Sequence, residues 1–385
     1  MTSLNSYHLS SIKSLMPSFL SSSFLGCHQQ ELDTPSLCID LDLMEANILR
    51  MAKWMTSRGK QWRPHQKCHK TPQIALKQIE AGAMGVTCAK LTEAEVMAEG
   101  GVENILVANM IAGDLKWNRA ARLSHKCNLI LACDHYTQVE PFAAICRKQN
   151  VTCQMIIEVN IGLDRVGIPP GVETIQLAQA IDKLEGVELV GIMGYEGHLL
   201  QIENQEEKQK KIYAAMNTLK QCRDQLLAAG LCCDIVSAGG TGSFQISADC
   251  DGLTEIQAGG GIFADPFYRK LCHLKGHDEA LSILTTVVSR PTRTRAIIDA
   301  GRKSHYPDFM MPTVKNIPEA KVVCVNAEHC ELELSGDSQN LKIGDKIELI
   351  PGYADFTTVL HDNFFCFRNQ QLETIYPIAA RGMLW

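Results

Sequence analysis

The chain has 385 residues, 45% hydrophobic and 21% charged, with a net charge of -6 at neutral pH. That balance belongs to an ordinary globular protein, and without a basic stripe it excludes a nucleic-acid-binding surface. No apolar run has the length needed to span a membrane. The sixteen cysteines show no zinc-spaced pairs and sit largely in apolar runs, so they read as buried free thiols in a reducing, cytoplasmic setting.

Residues 1–30 contain no acidic side chain and many serines, and form an N-terminal extension. A short strand at 35–40 follows, then an amphipathic helix at 43–58. From 62 to 262, low-charge runs rich in Val, Ile, Leu and Cys alternate with helical stretches of three- and four-residue apolar spacing. The runs are 61–64, 85–88, 104–108, 128–133, 154–160, 188–194, 234–237 and 254–257. Such runs suit strands buried on both faces. Eight βα units over about 200 residues predict an α/β fold, a closed (β/α)8 TIM-type barrel spanning 31–277. An open doubly wound sheet would want a Gly-rich first turn, which Gln66-Lys67-Cys68-His69-Lys70 is not. After about 278 the pattern shifts to short apolar or alternating runs parted by Gly, Pro and Asp, which predicts a C-terminal all-β domain over 278–385.

In such barrels the residues just past the strand ends line the active site. Those are His65, Lys67, His69 and Lys70 after the first strand, and Asn160, Asp164 and Arg165 after the fifth. Tyr195, Glu196 and His198 follow the sixth, Ser237 to Ser243 the seventh, and Gln257 with Gly259, Gly260 and Gly261 the eighth. Two Gly-rich loops on adjacent strands suit a phosphate, because glycine lets backbone N–H groups approach the oxygens. A lysine opposite that site suggests pyridoxal 5′-phosphate (PLP), held through the lysine amine. Lys67 stands out because His65, Lys67 and His69 alternate at a strand end. Lys70 competes with it.

The run Arg63-Pro-His-Gln-Lys-Cys-His-Lys70-Thr-Pro resembles the lysine motif of the D-threonine aldolase and eukaryotic-type D-serine dehydratase family. The resemblance extends through Leu163 to Gly167, Gly194 to His198, Ser237 to Ser243, Glu255 to Gly259, Asp299 to Arg302, Glu328-His329 and Thr357 to Asp362. It implies a fold-type III PLP enzyme with an alanine-racemase-like barrel, a C-terminal β-domain and a homodimeric assembly acting on small amino acids. It also implies that Lys67 bonds the cofactor and that Arg165 faces its 3′-hydroxyl. Gly240, Thr241 and Gly242, with Gly259 and Gly260 near, hold the phosphate, Tyr195 belongs to the same site, and Gln257 faces the ring nitrogen. The family binds a divalent metal through a His-x-Asp or His-x-Cys pair after Pro-Gly or Pro-Ser. Here the segment is Pro351-Gly-Tyr353-Ala-Asp355, so Tyr353 takes the histidine's place and leaves Asp355 as a weak ligand unless His361 or His198 joins it.

Three readings stay open. The first is a lyase on D-β-hydroxy amino acids, by aldol cleavage or dehydration, with His65, His69 and His198 as candidate bases. The second is a racemase or epimerase using Lys67 and Tyr353 on opposite faces. The third is a non-enzymatic PLP-binding protein, against which the C-terminal domain counts.

Overall fold

A computed structural model describes residues 25–385. Most of the Ser-rich extension expected over 1–30 lies outside the described residues. Among the described residues no helix is long and apolar enough to cross a membrane.

Two sheets organise the chain. Eight parallel strands form the first: β2 (Gln61–Trp62), β3 (Val86–Cys88), β4 (Asn104–Val107), β5 (Asn128–Cys133), β6 (Cys153–Glu158), β7 (Val187–Met193), β8 (Ile235–Ala238) and β9 (Glu255–Ile256). They pair in the order β2-β9-β8-β7-β6-β5-β4-β3. The remaining seam, between β2 and β3, is joined by a single His65–Thr87 bridge and by backbone bonds from Met84 N to Trp62 O and Thr87 N to Pro64 O. The sheet therefore curls back on itself as a barrel. The eight expected strands are all present, with no end shifted by more than two residues.

Alternation divides the strands' side chains between two cores. Leu106, Ile130, Ala132, Ile156, Val190 and Met193 make one cluster inside the barrel. Their neighbours Ile105, Val107, Leu129, Leu131, Met155 and Ile157 join the larger core toward the helices. The ladder slips by one residue at Val190, and Gly191 then lies so close to β8 that a Cβ there would stand 1.9 Å from the Ile235 carbonyl oxygen.

The outer layer contains α1 (Leu41–Thr56), α2 (Pro72–Glu80), α3 (Leu91–Glu99), α4 (Asp114–Leu123), α5 (Tyr136–Gln149), α6 (Val172–Asp182), α7 (Gln205–Ala228) and α8 (Phe244–Ser247). Their starts are capped by side-chain acceptors: Asp40 for α1, His135 for α5 and Asn204 for α7. Helix α2 begins two residues after Lys70, with Pro72 at its first position as the start signal.

The second sheet runs β13-β14-β11-β10-β1-β16-β17, with β15 joining β10 to β12. Its strands are β1 (Ser36–Asp40), β10 (Leu281–Thr292), β11 (Arg295–Ile298), β12 (Thr313–Val314), β13 (Ala320–Val325), β14 (Cys330–Leu334), β15 (Lys346–Ile350), β16 (Asn363–Arg368) and β17 (Gln371–Pro377). Strand β1 pairs antiparallel with β10 and parallel with β16, so the early strand belongs to this sheet although α1 and the barrel follow it. Strands β12, β16 and β17 were not foreseen from sequence. A short helix, α9 (Ala354–Thr358), carries the end of this region against the turn at Gln66–Cys68, where Thr358 Oγ1 donates to the Cys68 carbonyl at 2.9 Å.

Candidate active site

A cavity of about 350 Å³ opens at the C-terminal ends of the barrel strands. His65 and Lys67 line it after β2, Asn109 after β4, and Glu158 and Arg165 at and after β6. Tyr195 lines it after β7, Gly239, Gly240 and Thr241 after β8, and Gln257, Gly259 and Gly260 after β9. Nine of the site residues expected from sequence thus meet in one place: Lys67, His65, Arg165, Tyr195, Gly240, Thr241, Gln257, Gly259 and Gly260.

Five do not line it. His69 is fully buried, with Nδ1 accepting from Thr71 N at 3.1 Å, and burial pushes its pKa down to about 3. His69 breaks the expected alternation because Gln66–Cys68 wind into a 3-10 turn, in which positions i and i+2 do not share a face. His198 is exposed on another short turn, its ring against Gly162. Gly242 packs behind the glycine loop against Cys272 and Leu200. Tyr353 is enclosed by Phe267, Phe309 and Phe356 at ring separations of 4.9–5.3 Å. Asp355 lies behind Lys67.

The two lysines separate cleanly. Lys70 takes a left-handed backbone conformation, φ 53°, and its buried amine pairs with Glu93. Glu93 also accepts from Ala89 N and Lys90 N, holding the start of α3. Lys67 instead extends into the cavity, with Nζ 3.4 Å from Asp355 Oδ2. Burial alone would depress the Lys67 pKa, but Asp355 more than offsets it and the amine rests above the ordinary lysine range.

The glycine lip facing Lys67 suits a phosphate. A Cβ at Gly259 would stand 2.1 Å from the His65 carbonyl oxygen, and one at Gly260 would be 2.6 Å from the Tyr268 ring. Any side chain there would fill the cradle, whereas bare backbone leaves N–H groups free to meet oxygens. Gln257 donates to Ser237 Oγ at 2.8 Å and brings no charge to the cavity.

Three residues of this region went unremarked in the sequence. Glu158 is 3% exposed at the end of β6, with Oε1 3.6 Å from Arg165 Nη2 and Oε2 without a partner. Burial raises its pKa, and Arg165 only partly opposes that. A carboxylate closing the apolar run Cys153–Glu158 was the available signal. Tyr268 lines the cavity from beyond the last barrel strand, and Asp265 is buried beneath, accepting from Tyr268 N at 3.1 Å and Ala354 N at 2.8 Å. Glu196, expected after the sixth barrel strand, is buried too, its pKa raised by desolvation.

Replacing Glu158 with glutamine removes a charge that the fold desolvates, so thermal stability should hold or rise. Arg165, freed from its carboxylate, should then position ligand less well. A several-fold fall in kcat/KM without loss of melting temperature is expected; because Arg165 is more than half exposed, the pair itself stabilises the fold by at most about 1 kcal/mol.

Comparison with known proteins gives the following. The alanine racemase N-terminal domain family matches residues 39–266, and the putative serine dehydratase domain family matches 280–367. A 3-hydroxy-D-aspartate aldolase of Paracoccus denitrificans is 31% identical, over 93% of this chain and 94% of its own. A D-threo-3-hydroxyaspartate dehydratase of a Delftia species is 34% identical, over 70% of this chain and 72% of its own. Among solved structures, a D-threonine aldolase from Filomicrobium marinum superposes with a TM-score of 0.91 at 30% identity, covering 95% of this chain and all of that one.

Proposed function

Since this chain belongs to the D-threonine aldolase and D-serine dehydratase family of alanine-racemase-like enzymes, we propose that it is a PLP-dependent lyase that breaks the Cα–Cβ bond of small D-amino acids bearing a β-hydroxyl. The single observation that carries the reading is Lys67, whose amine reaches the cavity opposite the glycine lip. When bound, PLP supplies an electron sink for the α-carbon.

The chain's own residues then divide the work. Lys67 would hold the cofactor and move a proton at the substrate α-carbon. Gly240, Thr241, Gly259 and Gly260 would bind the phosphate, Arg165 and Tyr195 would hold the ring, and Gln257 would meet its nitrogen without charge.

Cleavage fits the side chains better than dehydration. Expelling hydroxide requires an acid or a cation beside the departing oxygen. His69 is sealed and His198 is outside the cavity. His65 is neutral, its pKa held well below the usual value by burial and by Lys67. Its Nδ1 already accepts from Lys67 N at 3.3 Å, so it does not serve as a base either. Cleavage needs only removal of the hydroxyl proton, for which a carboxylate suffices, and Glu158 stands in the cavity wall.

Racemisation by Lys67 and Tyr353 is disfavoured, because the phenol is committed to Asp355 and stands apart from the cavity wall. A non-enzymatic carrier would not need a C-terminal region that delivers Asp355 to the lysine. The reading includes a homodimer in the cytoplasm; Phe309 and Phe356, each more than two-fifths exposed beside the site, supply apolar surface for a partner subunit.

The test is product analysis of the PLP-loaded enzyme. D-Threonine should give glycine and acetaldehyde, with L-threonine inert. A 2-oxo acid with ammonia would replace cleavage by dehydration, and loss of optical purity alone would restore the racemase.

A further inference from the structure

The place where the family carries its metal pair is built differently in this chain. Tyr353 donates its only hydroxyl proton to Asp355 Oδ2 at 2.9 Å. The same oxygen faces the Lys67 amine at 3.4 Å. Around this row Asp355 Oδ1 is buried without a partner, but the groups that might complete a ligand set beside it are held by other contacts or stand away from it. Asp265 spends both oxygens on the backbone N–H groups of Tyr268 and Ala354. His361 bonds the Ser304 carbonyl at 2.7 Å. Cys68 is buried beneath, its thiol pKa raised well above the ordinary value by burial and by Asp355. His198 stands out of the cavity lining. Among the described residues no group of three His, Cys, Asp or Glu side chains has the arrangement to hold a metal ion.

The donor chemistry points the same way. A neutral phenol is a poor ligand for zinc or manganese beside imidazole or carboxylate.

We propose that this chain works without a divalent cation, the Tyr353–Asp355–Lys67 row standing where its relatives bind one, and that Tyr353 is the residue that decides it. The row has a use of its own. The phenol fixes the carboxylate, and the carboxylate holds the amine toward the cavity. The inference rests on the lyase reading for its catalytic consequence, but its binding consequence is independent of any reaction.

The experiment is metal stoichiometry on the PLP-loaded enzyme. Dialysed against chelator and then re-equilibrated with Mn²⁺ or Zn²⁺, the wild-type protein should retain well under one equivalent per chain by elemental analysis. Its cleavage of D-threonine should be unchanged by chelator or added metal. Tyr353→His, which recreates a His-x-Asp pair, should bind about one equivalent, whereas Tyr353→Phe should bind none. One tightly held equivalent in the wild type, or activity lost to chelator and restored by Mn²⁺, overturns the proposal. If no activity appears under any condition, the lyase reading fails while the stoichiometry still decides the cation question. Should Tyr353→His fail to fold, the wild-type titration alone is decisive.

Discussion

Lys67→Ala is expected to remove the visible absorbance of a lysine-bound cofactor and to lower turnover by at least about 10³-fold. Both effects have one cause. Lys67 Nζ is the only lysine amine among the cavity-lining residues, so nothing else there can make the covalent bond or return a proton to the α-carbon. The informative control is Lys70→Met. Lys70 is the neighbouring candidate, yet its amine is buried against Glu93. Its loss should leave the cofactor band intact and destabilise the fold by roughly 3–5 kcal/mol, because Glu93 is left as an unpaired buried charge. A spectrum that survives Lys67→Ala, or vanishes only with Lys70→Met, would reverse the assignment.

Arg63→Met should destabilise the protein by about 3–5 kcal/mol, for a reason of architecture. Arg63 is fully buried at the seam where the barrel closes. Its Nε donates to both Glu255 oxygens at 3.0 and 3.1 Å, and Nη2 donates to Glu255 Oε2 at 3.0 Å. Nη1 reaches Asn104 at 2.9 Å, so one side chain ties the first, last and third barrel strands together. Removing it strands the Glu255 carboxylate in the core. The double variant Arg63→Met/Glu255→Leu should recover part of the loss, since a matched apolar pair carries no desolvated charge. Chemical denaturation of all three proteins measures this. A single-variant loss under about 1 kcal/mol would show that the seam does not depend on the pair.

Much of this architecture was legible in the sequence because barrel strands buried on both faces have a strong signature. The runs 104–108 and 128–133 are apolar almost throughout, and only such a strand sits comfortably between a filled barrel interior and a helical shell. The glycine loops were legible for a similar reason: backbone that must approach a ligand closely admits little else. Three kinds of information were not local. His69 was misplaced because a 3-10 turn, invisible to a period-two reading, rotates it into the core. Glu158 escaped notice because it closes a strand rather than following it. Strand β1 could be placed only by its partners, and those come near the other end of the chain. Tyr353 and Asp355 were visible as a departure from a motif. That the phenol would bond the carboxylate, and the carboxylate face Lys67, depended on α9 docking against the turn at Gln66–Cys68.

The pairing of β1 with β10 and β16 also sets the order of events during synthesis. The ribosome releases Leu37 and Ile39 early, but their ladder partners at Ile283, Leu281 and Cys366 are made last. At roughly 5–20 residues per second the strand waits on the order of 15–60 s for its sheet. The barrel can assemble during that interval, while an apolar segment with unsatisfied backbone groups stays tethered to its first helix. Nascent chains stalled before residue 280 should therefore recruit chaperones that released full-length chains no longer need.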